Sequence, residues 1–222
     1  MAGGTTGIFV VLEGVEGAGK TTQVELLRQR LERAGVAHTV GREPGGTELG
    51  EALRTILLEF SQGEILPESE LLLILAARAA FVREIVGPAL ERGHVVVVDR
   101  FELSTLAYQG FGRGLDVEEL ETLNRFATGG LRPDLTLLLD VPVEQGRARQ
   151  ERDGKERDRF EAGGDPFLER VREGYNTLAR RREDVILLDG TLRSEEVHER
   201  VAGLIGSRFP ERFPETFTTA SG

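Results

Sequence analysis

Nine consecutive residues constrain this chain more than any others: Gly14, Val15, Glu16, Gly17, Ala18, Gly19, Lys20, Thr21 and Thr22. They match G-x-x-x-x-G-K-[ST]. They stand between an apolar run, Ile8 to Leu12, and an amphipathic segment, Gln23 to Arg33. A strand–loop–helix unit of this kind curls glycine-rich backbone so that successive N–H groups converge on phosphate oxygens at the positive end of a helix. Lys20 then supplies a point charge for the outer phosphates, and the Thr21 hydroxyl is placed to ligate Mg²⁺. The chain contains only two lysines, Lys20 and Lys155, among many arginines. One of the two sits where a compact ammonium is needed and a planar fork would substitute poorly.

Composition narrows the rest by exclusion. With a net charge of −10, the surface as a whole does not attract nucleic acid, so cationic phosphate contacts must be concentrated locally. No cysteine is present, which excludes disulfides, zinc thiolates and thiol nucleophiles. His38, His94 and His198 lie too far apart in sequence to suggest a metal cluster. Neither a basic leader nor an apolar segment of membrane-spanning length is visible, so a cytoplasmic protein without a membrane partner is expected.

Strands are expected at 7–12, 38–41, 94–98, 135–141 and 185–189; the first is continuously apolar, and the last three are dominated by apolar runs. Helices are expected at 23–33, 48–59 (capped by Thr47), 69–92, 103–109, 116–127 (capped by Asp116), 165–182 and 194–207 (capped by Ser194). The helix 69–92 is unusually apolar in its first half, which suits a central helix or a subunit interface. Gly110 to Gly114 reads as turn chemistry. The tail 208–222 reads as an appendage. Apolar strands alternating with helices imply an α/β fold with a five-stranded parallel sheet flanked by helices, and ligands at the carboxyl ends of its strands. That rule gathers the phosphate loop, Arg42 to Thr47, Asp99-Arg100, Asp140 and Asp189-Gly190 along one edge.

Asp99 closes a run of four valines and is positioned to hold Mg²⁺ with Thr21. Asp140 and Asp189 also close apolar runs, and Asp99 stands out because Arg100 follows it. An arginine at that place can clamp a second phosphate bidentately. The segment 145–162 interleaves Arg147, Arg149, Arg152, Lys155, Arg157 and Arg159 with acidic residues. Its composition fits a lid that lowers arginines onto a phosphoryl group and fits equally a solvated helix. The Asn-Lys-x-Asp segment of GTP-hydrolysing switches does not occur, and no G-x-G-x-x-G follows a strand.

Taken together, the segments Glu13 to Thr22, Arg42 to Thr47, Asp99-Arg100-Phe101, Ser104 to Gln109, Arg132 to Thr136 and Asp158 to Glu161 resemble the signature segments of the bacterial thymidylate kinase family. The resemblance runs to about residue 205. It implies a P-loop nucleoside monophosphate kinase-like domain over 1–207, with a mobile lid at about 145–163. The implied reaction moves a phosphoryl group from Mg·ATP to dTMP, giving dTDP and ADP, on a homodimer joined through helix 69–92. Matched by position, Gly14 to Thr22 would hold the ATP phosphates, and Glu16 would meet the acceptor sugar. Arg100 would bind the dTMP phosphate, with Arg54 and Arg42 assisting. Pro44, in a tight turn for which a cis peptide is the geometry to look for, would flank the acceptor. Arg78 would read the thymine edge, and Ser104, Thr105, Tyr108 and Gln109 would line base and sugar. Asp189-Gly190 would lie near adenine.

Two positions refine the resemblance. The family either carries an arginine in the phosphate loop or supplies arginines from the lid. Gly17 occupies the loop position here, so Arg149, Arg152 and Arg157 become the catalytic candidates beside Lys20. The family's thymine-stacking phenylalanine is replaced by Ile74, which forfeits about 1 kcal/mol of stacking unless a neighbour such as Phe81 compensates. Ile74 therefore keeps open a related nucleotide or nucleoside kinase of different base selectivity. A regulatory nucleotide-binding protein is the reading from another class, and an intact Lys20, Thr21, Asp99 and Arg100 set speaks against it.

Overall fold

A computed structural model describes residues 7–60, 63–154, 164–214 and 217. Five strands, β1 (Ile8–Glu13), β2 (His38–Arg42), β3 (Val95–Asp99), β4 (Leu135–Asp140) and β5 (Val185–Asp189), form one parallel sheet in the order β2-β3-β1-β4-β5. β1 is central and buried along its whole length. Its side chains alternate between two apolar cores, as the pleat requires. Ile8, Val10 and Leu12 join the larger core, while Phe9 and Val11 join a smaller one with Phe81, Val96, Val98 and Phe101. Sheet and helices thus bury both faces, which is why these strands read as apolar runs.

The helices are α1 (Lys20–Arg33), α2 (Glu48–Glu59), α3 (Pro67–Phe81), α4 (Gly87–Glu91), α5 (Glu102–Thr105), α6 (Val117–Thr128), α7 (Val143–Arg152), α8 (Gly164–Ala179) and α9 (Ser194–Arg208). Thr47 caps α2 as expected, its hydroxyl accepting from the Gly50 N–H, and Asp116 caps α6 through the Glu119 N–H.

Several expectations need correction. The helix expected at 69–92 starts at Pro67, which is well placed in a first turn. It is also not uniform: Val82–Val86 is π-helical, and the Gly87 N–H reaches back five residues to the Val82 carbonyl. Pro88 follows immediately and lacks the N–H that an unbroken α-helical ladder needs. The glycines at 110 and 112 do not form a turn. α5 continues as a π-helical segment, Leu106–Gly112, on which α8 packs closely. A Cβ on Gly112 would stand 2.6 Å from the Phe167 ring, so this glycine serves close packing. Ser194 is the first residue of α9, and Arg193 takes the cap position. α8 ends at Ala179, three residues short of expectation.

The tail is no appendage where it is described. Phe213 and Phe217 are buried in the larger core, their rings stacked 4.3 Å apart, and Arg30 of α1 lies over the Phe217 ring. Phe217→Ala should therefore lower the free energy of unfolding by about 3 kcal/mol, as for other buried phenylalanines. Denaturant titration checks this, with turnover left close to that of the parent.

Candidate functional site

The register of the central strands builds the site. Leu12 of β1 is opposite Asp99 of β3, and Glu13 is opposite Leu138 of β4, so the chain leaves three adjacent strands at the same sheet edge. After β1 the backbone turns through Gly14, Gly17 and Gly19, all at positive φ, and enters α1 at Lys20. Lys20 is buried, and its ammonium donates to the carbonyls of Gly14 (3.0 Å) and Val15 (2.9 Å). Burial and the nearby Arg100 lower its pKa, against the pull of Glu16. The Thr21 hydroxyl donates to Asp99 at 2.8 Å, so a hydroxyl and a carboxylate from α1 and β3 face each other. These are hard oxygen donors of the kind Mg²⁺ accepts from protein while phosphates and water fill its other positions, so the donor set fits that ion. The other strand-end aspartates have different partners. Asp140 receives Arg172 at 2.7 and 2.9 Å, and Asp189 accepts from Thr191.

Across from the loop stands Arg100. One of its Nη atoms is 2.5 Å from the Glu16 carboxylate and 3.2 Å from the Tyr108 hydroxyl. The other donates to Ser104 Oγ and Tyr175 OH, both at 3.1 Å. Its guanidinium also lies over the Tyr108 ring, 5.0 Å from the centroid. Burial opposes the charge of Glu16, but Arg100 and Lys20 outweigh it and hold the carboxyl below its usual range. A fixed cation therefore faces the same opening as the lysine-bearing loop.

Beneath Arg100 lies Glu13, entirely buried at the end of β1. It accepts the N–H groups of Phe101 (2.8 Å) and Ser104 (3.1 Å), the Ser104 hydroxyl (2.6 Å) and the Tyr175 hydroxyl (2.9 Å). Burial pushes its carboxyl above the usual value, against Ser104 and Arg100. Burial and Glu13 likewise raise Tyr175 well above an ordinary phenol, so it remains a donor.

The far wall of the cleft comes from α2, α3 and the turn after β2. The Glu43–Pro44 peptide is cis. Arg78 is 1 % exposed and fully engaged: Nε and one Nη reach Glu43, the other Nη reaches Thr105 and Asn124, and the Phe101 carbonyl accepts the last N–H. Four hydrogen bonds and the Glu43 ion pair thus hold the guanidinium. Burial pushes Glu43 up to about 7, against the pull of Arg78. Ile74 and Leu58 supply aliphatic surface on this wall, and Gln109, buried, donates to Glu70. Phe81 does not compensate for Ile74, because it is buried in the smaller core beneath Gly41 and Gly46.

On the donor side, α7 runs directly over the phosphate loop. A Cβ on Gly17 would stand 2.1 Å from the Gly146 carbonyl, and one on Gly146 would stand 2.4 Å from that of Glu16. The loop therefore has no space for an arginine at position 17. Arg149 of α7 reaches the carbonyls of Gly17 and Thr191, both at 3.4 Å. Arg152 also borders the cleft, with its side chain largely exposed. Arg157 lies outside the described residues, as does all of the expected lid segment beyond 154.

One cleft of about 1170 Å³ joins these groups. A single small-molecule site has roughly 300–1,000 Å³, so two nucleotides can meet here. Glu16 to Thr22, Pro44, Arg54, Ile74, Arg78, Asp99, Arg100, Ser104, Thr105, Tyr108, Gln109, Arg149 and Arg152 all border it. Gly14 and Val15 stay behind the loop and hold Lys20. Arg54 reaches the Pro44 carbonyl at 2.9 Å, while Arg42 pairs with Glu51. The sequence reading missed Tyr175, Gln23 and the stretch Thr191 to Glu195 that closes the donor end. Tyr175 carried a signal, being one of only two tyrosines in the chain.

The comparisons with known proteins agree with this geometry. The family model described as thymidylate kinase matches residues 12–201. A thymidylate kinase of Kosmotoga olearia is 46 % identical over 195 residues, covering 87 % of this chain and 93 % of that protein. One from Desulforudis audaxviator is 53 % identical over 175 residues, covering 78 % of each. The crystal structure of thymidylate kinase from Ehrlichia chaffeensis superposes with a TM-score of 0.72 at 30 % identity, covering 90 % of this chain and 99 % of that one. A family model that spans most of the chain and relatives of this similarity show that the chain belongs to the thymidylate kinase family.

Proposed function

We propose that this protein is an ATP-dependent dTMP kinase, transferring the γ-phosphoryl group of ATP to the phosphate of dTMP to give dTDP and ADP. The observation that carries the reading is Arg100, anchored 2.5 Å from Glu16 of the phosphate loop and facing the same cleft as Lys20. A regulatory protein that only binds a nucleotide has no use for a second phosphate clamp. The loop N–H groups and Lys20 hold the donor phosphates, and Arg100, assisted by Arg54 on the same cleft, holds the acceptor. Mg²⁺, held through Thr21 and Asp99, would offset charge on the donor phosphates. The acceptor is already an anion, so no strong general base is assigned.

Further roles extend from this. Arg149 and Arg152, carried on α7, approach the transferring group from above and supply the charge that Gly17 cannot. Arg157 is assigned with them from the family resemblance. The kinase domain is read as 1–207 with a lid at about 145–163. Glu16 orients the acceptor sugar, and Tyr108 packs against its deoxyribose side. Ser104, Thr105 and Gln109 border base and sugar. Arg78, held by its buried partners, serves the thymine edge as a fixed cationic wall and reaches it by sharing a hydrogen bond. Asp189-Gly190 and the turn after them close around adenine. A cytoplasmic location fits the substrates proposed, and among the described residues no helix is long and apolar enough to cross a membrane.

A homodimer through α3 is proposed from the apolar surface that this side leaves uncovered. Leu72 on α3, Leu49 and Ile56 on α2 and Phe126 on α6 are all exposed, Phe126 by 86 %. Exposed apolar groups on neighbouring helices mark association surfaces. Leu72→Glu should halve the particle mass in sedimentation, and an unchanged mass would remove this interface.

A coupled assay of ADP release with dTMP, dUMP, dCMP and dGMP in turn tests the activity itself, with dTMP expected to be the preferred acceptor. In that assay Lys20→Ala should lose at least about a hundredfold in turnover, the usual scale for one preorganised charge contact. Ile74→Phe should lower the KM for dTMP severalfold, since an aromatic face recovers about 1 kcal/mol of stacking. An unchanged or higher KM would mean that another group covers the base.

A further inference from the structure

We infer that Glu13 is a positioning residue for the acceptor clamp: its carboxylate, completed by Tyr175 and Ser104, fixes both the backbone and the guanidinium of Arg100. The inference rests on the proposed dTMP kinase activity and adds to it a residue outside the cleft lining. Among the described residues, Arg100 is the one non-glycine at positive φ, at 71°. An L-residue persists in that region only when its surroundings over-determine it. Here they do. The Arg100 N–H is tied to the Leu12 carbonyl at 2.9 Å, and the next N–H, that of Phe101, is tied to Glu13 at 2.8 Å. Phe101 stands at the cap of α5, yet its own side chain cannot cap it. Glu13 does so from the end of β1, accepting also from the Ser104 N–H at 3.1 Å. One carboxylate oxygen thus stitches the turn on the far side of Arg100 to the central strand.

The second oxygen fixes the side chain. It accepts the hydroxyls of Ser104 and Tyr175, which are 2.7 Å apart, and both hydroxyl oxygens in turn accept from the same Nη of Arg100. With that Nη occupied, the other is aimed at Glu16 and Tyr108, toward the cleft. The hydroxyls therefore relay Glu13 to the guanidinium without exposing its charge to the acceptor. Tyr175 arrives from α8, so the helix that follows the lid also bears on the clamp.

The test is steady-state kinetics of Glu13→Gln and Tyr175→Phe, varying dTMP at saturating ATP and ATP at saturating dTMP, with thermal melting of each variant. Glu13→Gln keeps an oxygen for the two backbone N–H groups and removes the charge beneath the clamp. It should raise the KM for dTMP roughly tenfold, the scale of one lost hydrogen bond to a charged group. The KM for ATP should stay within about twofold, because the donor loop is tied elsewhere. Tyr175→Phe should show the same asymmetry, less strongly. A dTMP KM that does not move, or two KM values that rise together, overturns the assignment. If Glu13→Gln fails to fold, Tyr175→Phe decides alone by the same criterion. A parent protein without activity on dTMP would instead defeat the kinase reading, so the two failures are distinguishable.

Discussion

The parallel pairing of β1 with β3 is the constraint on which this molecule depends. Leu12 is opposite Asp99, so the first strand delivers Glu13 and the phosphate loop where the third delivers Asp99 and Arg100. The phosphate loop, Thr21 and the Asp99-Arg100 pair all follow closely on those two strand ends. A one-residue slip would turn every side chain to the opposite face, exchanging the contents of the two cores. The valines of β3 and the apolar run of β1 make such a slip costly, because each face is packed against its own helices. The apolar pattern of two strands thereby fixes the geometry of a charged site.

Charge in this protein is local and paired. In this acidic chain three cations that border the cleft each have a carboxylate close by: Arg100 with Glu16, Arg78 with Glu43, and Lys20 near Glu16 and Asp99. Removing one partner of a buried pair leaves the other uncompensated, so these pairs preserve the arrangement whatever their net contribution to stability. They also rank the arginines. Arg78 is held by four hydrogen bonds and the Glu43 pair, while Arg149 and Arg152 make looser contacts.

The contact between Gly17 and Gly146 shows how two small residues set what can stand over the phosphate loop. With no side chain on either, α7 lies directly on the phosphate loop and brings its arginines over the cleft. An arginine in the loop and an arginine-bearing helix this close are sterically exclusive. The resemblance led to the proposed lid-arginine arrangement from Gly17 alone, and the packing shows why position 17 must stay small.

Local spacing was enough to identify the loop, the five strands, the caps at Thr47 and Asp116, and the Asp99-Arg100 pair. Strand burial, loop geometry and capping are properties of consecutive residues and need no knowledge of distant ones. Tertiary structure decided whatever depended on two distant segments meeting. It made Gly112 a packing glycine where the local pattern read a turn, because only the crossing of α8 reveals the Phe167 ring. It put Phe81 in the core away from the base wall, and it closed the tail onto α1 through Phe213 and Phe217. It brought Tyr175, 162 residues from Glu13 along the chain, onto the same carboxylate. Periodicity says which face of a helix is apolar, but what that face meets depends on the path of the whole chain.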